Sequence, residues 1–131
     1  MTTNPTKATL FEEIALEQAH FSKAPAAFFH AWKRGVELAG LRLFGTGTRH
    51  NLDNAADKWD LCPNLVQIKD VIGVMSSGEK VFLAAMVSFY NAKDGAALFR
   101  RVGIHGLADL GGLDLERRKI IATLILNYCG W

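Results

Sequence analysis

Residues 81–87, Val-Phe-Leu-Ala-Ala-Met-Val, are the longest unbroken apolar run in the chain. A helix that is apolar on every side must be covered all round, so this run belongs at the centre of whatever the chain folds into. The residues before it say how it starts. Ser76 and Glu79 have the spacing of a capping box, with Ser76 as the cap and Glu79 reaching back to its amide. Leu83, Ala84, Ala85 and Met86 are strong helix formers, and a helix over 80–91 is the reading they favour. The rival is a small hairpin at 66–83, two strands joined by Ser-Ser-Gly-Glu, which Val and Phe would suit. It would put Asp70 on the buried face of a strand that also carries Ile68 and Ile72.

Cover for the central helix is expected from amphipathic segments on either side. Thr9 and Glu12 form a second capping-box pattern, and Leu10, Phe11, Ile14 and Phe21 then make an apolar stripe over 10–21. Ser22 and Pro25 are expected to restart the chain as a second helix over 25–44, with Phe28, Trp32, Val36, Ala39 and Leu43 on one face and Gly45 as its stop. Gly35 and Gly40 argue against its being straight. A short helix is expected over 53–59, another opened by Pro63 with Leu65, Ile68, Ile72 and Met75, and a last one from the cap Asp114 to Tyr128, reached by short turns over 103–112. The expected fold is all-α: a compact orthogonal or irregular bundle of five to six helices around a buried central helix, with α+β carrying the 66–83 hairpin as the alternative. One domain spanning 1–131 is expected, with a loose tail at 1–6.

Composition excludes several classes. Half of the residues are apolar and 21% charged, which fits neither disorder nor a coiled coil. A net charge of +2 is far from the strongly basic surface that binds nucleic acid by charge alone. Seven consecutive apolar residues are too few to cross a bilayer, so no membrane partner is expected and the cytoplasm is the simplest address. Cys62 and Cys129 lie far apart and read as free buried thiols. No two of His20, His30, His50 and His105 stand a helical turn apart, so no metal site and no cofactor are expected.

No catalytic constellation stands out, and three functional readings remain. The first is a small non-enzymatic protein-interaction or regulatory protein, with Phe29 and Trp131 as candidate interface residues and a protein partner or self-association implied. Tryptophan is enriched among interface anchors, although packing onto its own domain is the commoner fate of a terminal Trp131. The second is an auxiliary nucleic-acid binder using Arg100, Arg101, Arg117, Arg118 and Lys119 on phosphates. A helix-turn-helix centred on Ser76-Ser77-Gly78 is rejected, because its second helix offers Phe82, Leu83, Met86 and Phe89 where base edges need polar groups. The third is a small enzyme or ligand-binding protein with an anion or ligand site at 45–59. There the loop Gly-Thr-Gly-Thr-Arg-His precedes Asp53 and Asp57, and Arg49, His50, Asp53 and Asp57 could form an acid-base cluster. That loop lacks the Gly-Lys-Ser/Thr ending of a phosphate-binding loop and follows a helix, so a plain connection with Asp53 as a cap is the commoner outcome.

Overall fold

The computed structural model describes residues 7–131; the loose tail expected at 1–6 lies outside the described residues. Six α-helices follow in order: α1 (Lys7–Ala39), α2 (Arg49–Asn54), α3 (Leu65–Val71), α4 (Ser77–Tyr90), α5 (Ala92–Val102) and α6 (Leu115–Asn127). Short 3-10 turns fill Leu41–Leu43, Lys58–Leu61, Ile72–Val74 and Leu107–Gly112. The fold is all-α. The segment 66–83 is α3, a 3-10 turn and the start of α4, so there is no hairpin there.

α4 is the buried centre. The Ser76 side chain accepts the Glu79 amide at 3.4 Å, and its hydroxyl donates to the Glu79 carboxylate at 2.6 Å. From Val81 to Val87 every residue is buried, each large apolar side chain contributing roughly 1.5–3 kcal/mol of transfer free energy. α1 and α6 pack together and against α4, while α5 lies along α4's remaining side. Two glycines allow close approach to α4. A Cβ on Gly35 of α1 would come within 2.7 Å of Met86 Cε, and one on Gly95 of α5 within 2.4 Å of Ser88 Cα.

Several expected boundaries are corrected. α1 does not break at Ser22 and Pro25 but runs through both. Pro25 removes the amide that would bond the Phe21 carbonyl; the helix persists because Ala24 and Phe28, on either side of it, are buried in the core. Thr9 lies inside α1 rather than at its start. α1 stops at Ala39, not at Gly45, because Gly40 takes φ 124°, a conformation that favours glycine. Thr48 and Asp57, not Asp53, are the caps in the 45–59 region, and the helix expected at 53–59 is instead α2 followed by a 3-10 turn. The thiols are not both buried: Cys62 is half-buried and Cys129 exposed.

The correction with most consequence concerns 10–21. Leu10, Ile14, Phe21, Phe28 and Trp32 fall within about 40° of one another around a helix of 3.6 residues per turn. Phe28 and Trp32 are buried, but the stripe does not cover the central helix further out: Leu10, Phe11, Ile14 and Phe21 are 44–68% exposed. The packed body ends at the junction of His20 with the end of α6, where His20 Nε2 donates to the Leu126 carbonyl at 2.9 Å. Residues 7–19 form an arm beyond it.

Candidate interaction surface

Two features meet along α1. The first is the arm's apolar stripe. The second is a cleft of about 480 Å³ at its inner end, with Pro25, Ala26 and Phe29 of α1 on one side and Lys58 and Trp59 on the other. Asn127 and Gly130 close its third side. Pro25 lies one helical turn beyond Phe21, so stripe and cleft are continuous.

Behind Phe28 and Trp59, which line the cleft, lies an aromatic cluster built on the C-terminal segment. Trp131 folds back so that its ring lies 4.7 Å from that of Trp32, 5.2 Å from Tyr90 and 6.0 Å from both Phe28 and Trp59, all edge-on. Such pairs each add about 0.5–1.5 kcal/mol beyond area burial. Lys58 locks the arrangement. Its ammonium donates to the Gly130 carbonyl at 2.5 Å and sits 5.2 Å and 5.5 Å from the Trp131 and Phe28 ring centres. Trp32 Nε1 donates to the Leu61 carbonyl at 2.9 Å, tying the 3-10 turn to α1. The Cys62 thiol lies behind Trp131. Burial pushes its pKa up, while the Trp131 indole and the Tyr90 hydroxyl pull the other way.

The candidate residues at 45–59 divide between two places. Arg49 Nη1 bonds Glu37 at 2.9 Å and lies 3.8 Å from Asp53, while His50 Nδ1 is 3.2 Å from the Asn54 amide. Asp57 is turned away, accepting the Trp59 amide at 2.9 Å and lining the cleft. The glycine-rich loop uses its own amides: Gly45 donates to the Cys62 carbonyl, Thr46 to Asn51 Oδ1 and Gly47 to the Phe44 carbonyl.

The arginines are placed differently. Arg101 donates to the Lys69 carbonyl at 2.7 Å, and Arg118 to the carbonyls of Leu113 and Gly111. Arg117 pairs with Asp114 at 2.5 Å and lies over the Phe82 ring. Arg100 and Lys119 are exposed on α5 and α6.

Of the two candidate interface residues, Phe29 lines the cleft, with Lys33 Nζ 5.7 Å from its ring centre. Trp131 is half-buried and does not line the cleft; it packs edge-on behind Phe28 and Trp59, which do. Sequence reasoning missed Pro25, Ala26, Lys58 and Trp59. The available signal was the angular continuity of Leu10, Ile14 and Phe21 with Phe28 and Trp32, hidden by the assumption that Pro25 starts a new helix.

Among the described residues no group of three His, Cys, Asp or Glu could hold a metal ion, and no helix is long and apolar enough to cross a membrane. No protein-family model matches the chain, and no curated protein or solved structure matches it.

Proposed function

We propose that this chain is a non-catalytic protein-interaction module whose docking surface runs along α1, from Leu10 to the cleft at Phe29 and Trp59. One observation carries the proposal: the stripe that buries Phe28 and Trp32 continues outward through Phe21, Ile14 and Leu10, which are 44–48% exposed. Contiguous exposed apolar surface of this kind marks association sites.

The cleft supports a macromolecular occupant over a small polar ligand. Small-molecule sites fix orientation with convergent polar groups. Here Lys58 is engaged by Gly130 and two rings, and Asp57 by the Trp59 amide. What remains open is apolar wall, suited to an inserted aliphatic or aromatic side chain. The nucleic-acid reading has less support, since Arg101, Arg117 and Arg118 are engaged within the fold.

The test is side-by-side capture from the source cell with the full chain, Ile14→Asp and Val74→Asp, each retained protein being identified by mass. Val74 is 89% exposed and off the surface, so its variant is the control. The expected result is a defined protein, which includes this chain itself, held by the wild type and Val74→Asp. Its retention by Ile14→Asp should fall at least tenfold, which corresponds to about 1.4 kcal/mol. Equal retention by all three contradicts the proposal.

A further inference from the structure

We propose that the concavity between residues 42–47 and α3 binds a free α-amino acid with an aliphatic side chain, Arg42 taking its carboxylate and Asp70 its ammonium. The site uses none of the groups on the α1 surface and is independent of what docks there.

The backbone builds the concavity. The turn Leu41–Leu43 is tied to the start of α3: the Asn64 amide donates to the Leu43 carbonyl at 2.8 Å, and Phe44 and Pro63 form an antiparallel bridge. Gly47 then turns the chain back with φ 80°. It passes so near Arg42 that a Cβ there would come within 3.1 Å of the Arg42 carbonyl oxygen. Two walls result. One is the 42–47 segment. The other is the face of α3 that carries Gln67, Asp70 and Val71, spaced i, i+3 and i+4. Between them lies a space of about 370 Å³, at the lower end of the range for small-ligand sites.

The lining has the composition that the cleft at Phe29 lacks. Leu43 is buried and Val71 half-buried, and together they give an apolar floor. Arg42, Gln67 and Asp70 border the same space from its exposed rim. Among the described residues none of these three side chains makes a hydrogen bond or an ion pair, and Arg42 and Asp70 do not pair with each other. Arg49, Arg101, Arg117 and Arg118 are by contrast all engaged within the fold. Free polar groups converging over apolar surface are what orients a small ligand.

The charges select the ligand class. A ligand of one sign satisfies either Arg42 or Asp70 and leaves the other partly desolvated without a partner, which is costly. An α-amino acid supplies both signs from one carbon. Its planar carboxylate matches the guanidinium fork, and its ammonium gives Asp70 a charge-assisted hydrogen bond. The Gln67 amide can donate and accept beside them. The ligand side chain then falls on Leu43 and Val71, which suits an aliphatic group.

Titration of the full chain with L-leucine, followed by amide chemical shifts, tests this. Saturable shifts are expected at 42–47 and 65–71, with a Kd on the order of 1 mM or below. Isocaproate, which is leucine without the ammonium, and isoamylamine, which is leucine without the carboxylate, should bind at least tenfold more weakly. Arg42→Gln and Asp70→Asn, both at exposed side chains, should each weaken leucine at least tenfold, while Lys119→Gln, exposed on α6, should not. Absence of shifts at these positions with leucine at about 10 mM, near saturation for that Kd, overturns the site. Isocaproate or isoamylamine binding as tightly as leucine overturns the amino acid as its ligand. Full affinity for leucine in both Arg42→Gln and Asp70→Asn overturns the roles given to the two charges.

Discussion

His20 Nε2 donates to the carbonyl of Leu126 at 2.9 Å, closing the last turn of α6 against the middle of α1. A cation or donor at a helix C-terminus satisfies carbonyls that the helix cannot. This contact marks where the packed body ends and the arm begins. Replacing His20 with Ala removes about 1 kcal/mol of hydrogen bonding. Amide exchange at 125–128 is then expected to quicken, with α4 amides unchanged; unchanged exchange at 125–128 means the contact does not hold the junction.

Gly95 and Ser88 set the spacing of α5 on α4. A methyl at Gly95 meets the Ser88 backbone at 2.4 Å and 2.9 Å, where no flexible side chain can give way. Gly95→Ala is expected to destabilise the fold by about 2–3 kcal/mol, against the small gain that Ala usually brings to a helix. Thermal unfolding should show a fall of several degrees. Gly78→Ala, with open space around its Cβ position, is the control.

Cys62 and Cys129 should differ as nucleophiles. Burial raises the Cys62 pKa, so less of it is thiolate near neutral pH, and Trp131 stands over it. Cys129 is exposed. Alkylation of the native chain at pH 8 is expected to modify Cys129 first, with Cys62 following only after denaturation. In Trp131→Ala the two rates should converge. Equal rates in the wild type contradict the placement of Trp131.

Three carboxylates make stability depend on acid. The Ser76 hydroxyl lowers the pKa of Glu79, the amides of His105 and Gly106 that of Asp109, and the Arg117 amide and guanidinium that of Asp114. A pKa that is lower folded than unfolded contributes stability above the unfolded value, and the contribution is lost as pH falls through the folded value. Stability is therefore expected to be flat near neutrality and to decline below the ordinary carboxylate range. Asp114→Asn keeps a capping side chain but no charge, so its acid decline should be shallower. An identical decline in that variant contradicts this role for Asp114.

How much of this was legible in the sequence follows from the kind of signal each element carried. The run 81–87 and the Ser76 cap specified α4 and its burial because both act locally. Asp114 did the same for α6. α5 was missed, although it is strongly amphipathic, Asn91 caps it and Gly103 ends it with φ 83°, because the residues it buries are Gly95 and Leu98, and a mid-helix glycine argues locally against a helix. The break expected at Pro25 failed because burial of Ala24 and Phe28, a tertiary effect, outweighs the local cost of proline. For the same reason the surface was only half legible. Phe29 and Trp131 could be named, but the cleft depends on Lys58 and Trp59, brought to α1 by the Trp32 to Leu61 hydrogen bond across 29 residues.

The central claim is that the outer stripe of α1 is an association surface. Amide hydrogen exchange of residues 10–20 in the full chain, free and bound to the protein that it captures, addresses it most directly. A helical arm without tertiary cover frays readily. The account predicts that these amides exchange at least tenfold more slowly in the bound chain than in the free one, while α4 amides stay constant. Exchange at 10–20 that is the same in both would contradict it.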